Sequence, residues 1–462
     1  MSAFLDSIRK NKIICIILFL FFAAKFFTLP NYRIVWWDSA VYTGMGKYIY
    51  SFGNAGLWES TRPVAWPLML GFLWKIGLNS VFAGRILEII FGSLCILLTY
   101  LTGKKLFNEK TGLLASVFLA LSPTFFFFNG IMLTETVSTF FSLAAVYFFI
   151  EKRYFASGTL LGMAFMTRFI QLLVFIAIAL ILALAKKSIK NYTNIFLGFI
   201  VTTIPYLILN KILYSNALYP FFLQIALSKN SGWLNYHPIS YYFIELFKEN
   251  FLYLIFIFGV FLLLKNKDIN KKIITFIFIL FFAFFNSIKQ KEMRFLIILL
   301  PYMYLLMSFL IVYIFDNLKN KTARDTLILL VIFSFIFSFN PTYIYYKNES
   351  NKNSQYIDLQ DNFNKIAQGN IWISSPLISA FSDKKIGKLM YYPIFDEKKK
   401  NELIENAESA DFIFLDACDL ACKLHDTGCL NSKNELLESL KQRFKTAYYS
   451  KTKDCEQMIF RK

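Results

Sequence analysis

The sequence predicts a polytopic α-helical membrane protein with a small α/β domain at its C-terminal end. Of its 462 residues, 56% are hydrophobic and only 17% are charged, whereas soluble globular domains carry about 25% charged residues. Apolar runs of about 20 residues, long enough to cross a bilayer, recur before Pro341. After Pro341 the composition becomes that of a soluble domain.

The first apolar run, NKIICIILFLFFAAKFFTLP, follows Arg9 and Lys10 and resembles the core of a signal peptide. It has no small-residue cleavage site, so we expect it to be a retained signal anchor.

The net charge of +19 is concentrated in the membrane part of the chain. From Pro341 onward there are 18 basic and 17 acidic residues, against 31 basic and 13 acidic residues before it. The surplus lies in short loops such as KKLFNEK, EKR, AKKSIK, KNKDINKK and NLKNKTAR. Basic short loops mark the cytoplasmic side of a membrane protein. We therefore expect a lipid bilayer and no nucleic acid as partner, with a multi-pass location in the plasma membrane.

Window length and the basic loops together predict about eleven spans. Their approximate positions are 12–29, 81–102, 112–128, 133–150, 155–169, 171–185, 193–210, 247–264, 272–288, 294–315 and 325–340. No polar loop marks the break between the 155–169 and 171–185 runs. With eleven spans and a cytoplasmic N-terminus, the C-terminal tail is extracytoplasmic.

The predicted domains are a transmembrane domain over residues 1–340 and a soluble α/β domain over residues 341–462. Within the first, residues 30–64 form an external loop, 65–77 a short re-entrant or interfacial helix, and 211–245 a long, aromatic-rich external loop. In the tail, NIWISS and ADFIFLDA are typical of buried strands. DEKKKNELIENAE and NELLESLKQRF are typical of amphipathic helices, and AYYSKT with EQMIFRK of a β-hairpin.

Four of the six cysteines lie in the tail: Cys418, Cys422, Cys429 and Cys455. Their spacing does not fit a zinc ribbon, and an oxidising external location favours two disulfides. Three pairings are open, and four free buried thiols are the alternative.

Two acids at the external side of the membrane are candidate catalytic residues. Asp38 stands at the exit of the first span, among Trp36, Trp37 and Tyr42, where partial desolvation suits a general base. Its alternative role is a helix N-cap at the start of DSAVY. Glu135 begins a later span in NGIMLTETVSTFF, where a first-turn acid also suits the helix dipole.

Four basic residues at the same side are candidate ligands of a lipid phosphate. Arg62 precedes Pro63 in STRPVAWP, and an Arg at the bilayer surface can bind phosphate with two N–H groups. It can equally extend to lipid headgroups. Lys289, Lys291 and Arg294 lie together in SIKQKEMRF at an external boundary, against the positive-inside trend.

From Trp36 to Arg168 the chain resembles the GT-C superfamily of membrane glycosyltransferases, and most closely the branch with protein O-mannosyltransferases and lipid A aminoarabinose transferases. The matching segments, in order, are WWDSAVY, TRPVAWPLMLGFLWKIG, AGRILEIIFG, LFNEKTGLLASVFLALSPTFFFFNGIMLTETVSTFFSLAAVYFF, GTLLGMAFMTRF and MRFLIILLPY. The likeness covers about the first 315 residues and is weaker after residue 185. Many relatives have two acids at the first site and Pro-Pro after the basic residue, whereas here Ser39 follows Asp38 and Val64 follows Pro63.

The resemblance implies an inverting transfer of a sugar from a polyprenyl-phosphate donor to an acceptor on the external face. It implies Asp38 as general base with Glu135 at a second acidic position. It implies that Arg62 and the Lys289, Lys291 and Arg294 group bind the donor phosphate. Trp37, Tyr42 and Arg168 would line the substrate cavity. The acceptor is a glycan, a lipid or a protein. No cofactor is certain, and a divalent metal stays open.

Two other function classes compete with a glycosyltransferase. A transporter of a lipid-linked or anionic substrate accounts for the spans and the basic surplus, but it predicts internal repeats, and none is recognisable in the sequence. An oligosaccharyltransferase is suggested by WWD alone. In that family the tryptophan-rich motif lies in a soluble domain after the spans, so this reading ranks lowest.

Overall fold

The computed structural model describes residues 11–31, 35–230, 233–350, 362–390, 397–420, 422–423, 425–451 and 456–462. Its chain forms two compact units. The first, here the helical unit, comprises Met1–Tyr32, Arg85–Ala217 and Asn235–Asn351. The second, here the loop–tail unit, comprises Arg33–Gly84, Leu218–Leu234 and Lys352–Lys462. The grouping therefore differs from the predicted boundary at residue 340, because the first external loop packs with the tail.

The predicted spans correspond to helices of the helical unit, together with one that starts in the other unit. Their bounds are Lys12–Thr28, Ser80–Leu106, Glu109–Leu121, Pro123–Phe128, Thr134–Ile150, Tyr154–Thr167, Leu172–Leu184, Ile189–Tyr214, Tyr241–Glu249, Phe256–Leu264, Ile269–Ser287, Leu300–Asn317 and Lys321–Ser350. Short 3₁₀ turns span Leu29–Asn31, Phe169–Gln171, Phe251–Ile255 and Met293–Ile298.

Three of the described helices are long and apolar enough to cross a membrane: Ser80–Leu106, Ile189–Tyr214 and Leu300–Asn317. Four shorter apolar helices are Thr134–Ile150, Phe169–Leu184, Phe251–Leu264 and Lys272–Ser287. The count of eleven spans and the orientation of the termini stay predictions.

The 112–128 run is broken into two helices by its own polar residues. Asn108 caps the helix Glu109–Leu121 by accepting from the Thr111 amide at 2.8 Å. Ser122 then ends that helix and caps Pro123–Phe128 by accepting from the Phe125 amide. Proline is suited to the first helical position, because no intrahelical donor is needed there. A serine-proline step thus replaces the single span that hydropathy predicts.

The described part of the loop–tail unit contains a five-stranded sheet with the order β2-β1-β3-β5-β4. The strands are β1 Ile371–Ile373, β2 Ile386–Leu389, β3 Phe412–Asp416, β4 Lys445–Lys451 and β5 Glu456–Arg461. β1 runs parallel to both β2 and β3, while β5 runs antiparallel to β3 and β4.

The helices of the loop–tail unit are Trp37–Tyr50, Ala65–Lys75, Tyr219–Asn230, Leu377–Phe381, Glu397–Asn406 and Thr427–Arg443. The predicted 211–245 loop is therefore largely helical.

Both faces of this sheet are covered, and the covers come from distant parts of the chain. Trp372, Ile413 and Leu415 face a core shared with the helices Glu397–Asn406 and Thr427–Arg443. Residues from alternate strand positions, Ile371, Ile373, Phe412, Phe414 and Ile459, face a second core that includes Val41, Met45 and Leu57. The helix Trp37–Tyr50 therefore lies against the tail sheet.

Glycines let the helix Trp37–Tyr50 approach Ala65–Lys75 closely. A Cβ at Gly46 would lie 2.6 Å from the Gly71 amide nitrogen, and a Cβ at Gly71 would lie 2.4 Å from the Gly46 carbonyl oxygen. Such distances exclude any larger residue without movement of the backbone. The close approach fixes the helix that carries Asp38 beside the segment that follows Arg62.

Candidate active site

Asp38 and Arg62 form an ion pair in the loop–tail unit. The Arg62 Nη2 donates to Asp38 Oδ1 at 2.7 Å, and Nε lies 3.4 Å from Glu59 Oε2. Asp38 lies in the first turn of the helix Trp37–Tyr50, whose N-cap is Trp36. The carboxylate of Asp38 is thus directed to an arginine and is not at the cap position.

Of the two aromatic residues assigned to the substrate cavity, Tyr42 contacts this pair directly. The hydroxyl of Tyr42 is 3.4 Å from Arg62 Nη1, and the Tyr42 ring lies 5.6 Å below the guanidinium. Tyr42 is buried, and Trp37 is half-buried against the core shared with the tail sheet. Tyr42 therefore restricts the position of the Arg62 guanidinium.

Glu59 connects this pair to a cavity of about 800 Å³ within the loop–tail unit. The Glu59 side chain is buried, accepts a hydrogen bond from the Thr61 hydroxyl and contacts Arg62. Glu59 is not among the site residues predicted from the sequence. In WESTRP it stands only three residues before Arg62, an acid and a base near enough in the chain to pair.

Glu135 lies in a second charged cluster, in the helical unit. Arg168 Nη1 is 3.0 Å and Arg294 Nε 3.8 Å from Glu135 Oε1. Arg294 Nε also donates to Glu292 Oε2 at 2.7 Å, and both guanidinium groups lie 5.4 Å from the Phe295 ring. Two glutamates and two arginines therefore neutralise one another here.

Lys289 and Lys291 differ from Arg294 in their partners. Lys291 is buried, and its ammonium donates to the carbonyl oxygens of His237 and Ile288. The Lys289 side chain is exposed. Among the described residues, neither lysine forms an ion pair with a carboxylate, and only Lys289 presents its side chain to the surface.

The predicted site residues thus fall into two groups. Asp38, Arg62, Trp37 and Tyr42 belong to the loop–tail unit, whereas Glu135, Arg168, Lys289, Lys291 and Arg294 belong to the helical unit. A cavity shared by Asp38 and Glu135 stays a prediction. Within the described part of the chain, no group of three His, Cys, Asp or Glu side chains is arranged to hold a metal ion.

In the tail, Cys422 and Cys429 are joined by a disulfide. The Cys418 side chain and Cys455 lie outside the described residues.

Residues 61–209 match the sequence profile of the dolichyl-phosphate-mannose-protein mannosyltransferase family. The matched segment contains Arg62, Glu135 and Arg168. Among proteins with curated functions, none is significantly similar to this sequence.

Solved structures of GT-C glycosyltransferases resemble nearly the whole chain. ArnT from Cupriavidus metallidurans bound to undecaprenyl phosphate has a TM-score of 0.66 at 10% identity, covering 97% of this chain and 97% of ArnT. The oligosaccharyltransferase AglB from Archaeoglobus fulgidus, in complex with an inhibitory peptide and a dolichol-phosphate, has a TM-score of 0.64 at 12% identity, covering 96% of this chain and 74% of AglB. An Archaeoglobus fulgidus oligosaccharyltransferase tethered to an acceptor peptide has a TM-score of 0.60 at 11% identity, covering 94% and 72%. The resemblance predicted from the sequence is therefore confirmed: the chain has the GT-C fold, and its residues 61–209 match the mannosyltransferase family.

Proposed function

We propose that this protein is a membrane glycosyltransferase that moves a sugar from a polyprenyl-phosphate donor to an acceptor hydroxyl on the external face. The family match and the GT-C fold support the reaction class. The bound undecaprenyl phosphate of ArnT and dolichol-phosphate of AglB support the type of donor. The observation that carries the proposal is the Asp38 carboxylate, held by Arg62 in a chain of this fold.

Accessibility favours Asp38 over Glu135 as the general base. A base must come within hydrogen-bond reach of the proton that it removes. The Asp38 side chain is 17% exposed, whereas the Glu135 side chain is 1% exposed and contacts two arginines. We assign Asp38 as the base and Glu135 as the anion that orients Arg168 and Arg294.

In the proposed step, Asp38 takes the proton of the acceptor hydroxyl. The acceptor oxygen attacks the anomeric carbon from the side opposite the phosphate, and the bond between that carbon and the phosphate oxygen breaks. The configuration inverts, and the polyprenyl phosphate leaves with the bonding electrons. Negative charge therefore moves from the carboxylate to the departing phosphate.

Arg62 is suited to exchange its partner from Asp38 to the leaving phosphate during this step. At the start it pairs with Asp38. Once Asp38 is protonated, that attraction weakens, while the leaving phosphate becomes a stronger partner for a guanidinium. Lys289, Lys291 and Arg294 are the further candidate ligands of the donor phosphate, and Arg294 is oriented by Glu292. Preorganised positive charge of this kind stabilises a developing anion.

A labelled-sugar assay tests the proposal. The full chain, reconstituted in sealed vesicles with a polyprenyl-phosphate-linked radiolabelled sugar, should move label from the lipid to an acceptor. Label that crosses the membrane but stays on the lipid would indicate the transporter, which the fold does not favour.

A further inference from the structure

The cavity beside Glu59 combines three kinds of wall within the loop–tail unit. Trp58 and Tyr48, whose ring centroids are 5.7 Å apart, form an aromatic side, and Leu223 and Leu227 add apolar surface. A second side carries polar groups from Glu59, Ser60 and Thr61. The third side carries three lysines: Lys385, which directly precedes the edge strand β2, Lys388 within that strand, and Lys398. Its volume of about 800 Å³ falls in the range of small-ligand sites, about 300–1,000 Å³.

The charges that line the cavity do not cancel. Lys388 pairs with Glu402 at 3.0 Å and lies 4.6 Å from the Trp372 ring centroid, and Glu59 contacts Arg62. Lys385 and Lys398 have no carboxylate partner among the described residues. Two ammonium groups therefore leave a positive potential at one side of the cavity, which favours an anionic ligand.

The aromatic and polar sides of the cavity indicate the uncharged part of the ligand. Aromatic faces provide flat apolar area, and neighbouring carboxylate and hydroxyl groups provide hydrogen-bond acceptors and donors. A saccharide presents both kinds of surface, with C–H faces and hydroxyl groups. Glu59 belongs to this wall and also contacts Arg62, which pairs with Asp38, so one arginine links the wall of the cavity to the candidate base.

We infer that this cavity is the acceptor subsite and that it takes an anionic saccharide, whose carboxylate or phosphate contacts Lys385 and Lys398. The inference rests on the proposed function and adds the chemical class of the acceptor. The ring stacks on Trp58, and Glu59 and Thr61 bind its hydroxyl groups. This arrangement turns a hydroxyl of the acceptor toward Asp38.

Binding to the full chain in nanodiscs, measured by calorimetry, tests this assignment with two matched pairs of probes. One pair is trigalacturonate and its neutral methyl ester, and the other is a monophosphorylated maltotriose and maltotriose itself. In at least one pair, the acidic probe should bind about tenfold more tightly or more, since charge-assisted hydrogen bonds supply discrimination of this size. The pair that shows the preference identifies carboxylate or phosphate as the anion.

Two double variants test whether Lys385 and Lys398 cause the preference for the acidic probe. Lys385→Gln with Lys398→Gln should reduce it below about threefold, because each substitution removes a charge-assisted contact. Lys445→Gln with Lys451→Gln removes the same charge from β4, at the opposite edge of the sheet, and should leave it unchanged. Equal binding of acidic and neutral probes, or a preference that survives in the first variant, would overturn the inference.

A second measurement covers the case in which the first variant does not fold. In the wild-type chain, the preferred acidic probe should protect Lys385 and Lys398 from amine acylation, read by peptide mass spectrometry, and should not protect Lys445. Absence of such protection would also overturn the inference. The transfer assay separates the two proposals: probe binding without any transfer contradicts the proposed function, whereas transfer without acidic preference contradicts only the acceptor class.

Discussion

Arg62 donates to Asp38 across 2.7 Å, although 24 residues separate them. The same guanidinium lies 3.4 Å from Glu59 and 3.4 Å from the Tyr42 hydroxyl. One cation therefore orients the candidate base and connects it to the cavity that Glu59 lines. Two carboxylates, those of Asp38 and Glu59, therefore share this one arginine.

Replacement of Arg62 should affect both donor binding and the orientation of Asp38. We expect Arg62→Ala to weaken donor binding and to slow transfer. Arg62→Lys keeps the charge but loses the planar fork, so it should restore donor binding more than transfer. Donor affinity and single-turnover transfer rates, measured on the same preparations, separate the two effects. Unchanged donor affinity in Arg62→Ala would limit Arg62 to orienting Asp38.

Lys47 should be important for the attachment of the Asp38 helix to the tail. Its buried ammonium donates to the carbonyl oxygens of Ala380 at 3.1 Å and Ser382 at 3.0 Å, and it pairs with the exposed Asp383 at 3.0 Å. Lys47→Met leaves these carbonyls unpaired and should cost about 1–3 kcal/mol of unfolding free energy. Asp383→Asn removes the charge of an exposed ion-pair partner and keeps an oxygen that can accept from the Trp74 indole, so it should cost less than about 1 kcal/mol. Hydrogen exchange of the β3 amides, at one pH, measures the loss of unfolding free energy in both variants. Equal losses in the two variants would contradict the importance of the buried Lys47 contacts.

The stability of the tail should depend on pH through Asp419. Burial, together with the neighbouring Asp416, raises the pKa of Asp419 to about 8. The folded state therefore holds a proton that the unfolded chain releases near its ordinary pKa of about 4. The stabilisation is complete below that value and is lost as pH rises toward about 8, by up to about 1.4 kcal/mol per pH unit.

Thermal unfolding of the full chain between pH 4 and 9 checks this dependence. Asp419→Asn, which cannot ionise, should be more stable than the wild-type protein at pH 9, and the difference should shrink steadily toward pH 4. A difference that does not vary with pH would show that Asp419 titrates normally.

The tail is predicted to be extracytoplasmic, from the pattern of basic loops. Protease added to intact cells should therefore remove residues after Pro341, and non-reducing mass analysis of the released fragment should show Cys422 and Cys429 blocked to alkylation. A tail that is protected in intact cells and cleaved only after lysis would show that the number of spans has the wrong parity.

The sequence predicted the secondary structure of the tail well but not what covers it. The runs IWI and FIFLD are apolar on both faces, which indicates a sheet buried on two sides. The tail helices cover one side, and nothing in the sequence shows that Val41 and Met45 belong to the other. Such a long-range contact depends on shape, including the glycine contact at Gly46 and Gly71, and not on local periodicity. The helix Tyr219–Asn230 was missed because its aromatic residues are equally typical of an interfacial loop.

The candidate site was predictable in its residues and less so in its pairings. Asp38 and Arg62 were each selected for a separate role, and the structure adds the ion pair that couples those roles. Glu135 and Arg168 were likewise selected singly, although they form a second pair at 3.0 Å. Pairing of this kind follows from the packing of helices that are far apart in the sequence.

The transfer rate of Asp38→Asn shows whether Asp38 removes the acceptor proton. The amide is nearly the same size, so folding and donor binding should persist. Glu135→Gln is measured beside it, together with its donor affinity, because Glu135 contacts Arg168 and Arg294. A general base contributes about 10²- to 10⁴-fold, so the account predicts a loss of at least about 100-fold in the single-turnover rate. A well-folded Asp38→Asn protein with wild-type transfer would contradict the account. If Glu135→Gln then lost transfer at unchanged donor affinity, the base would be Glu135; if it too were active, neither acid would be the base.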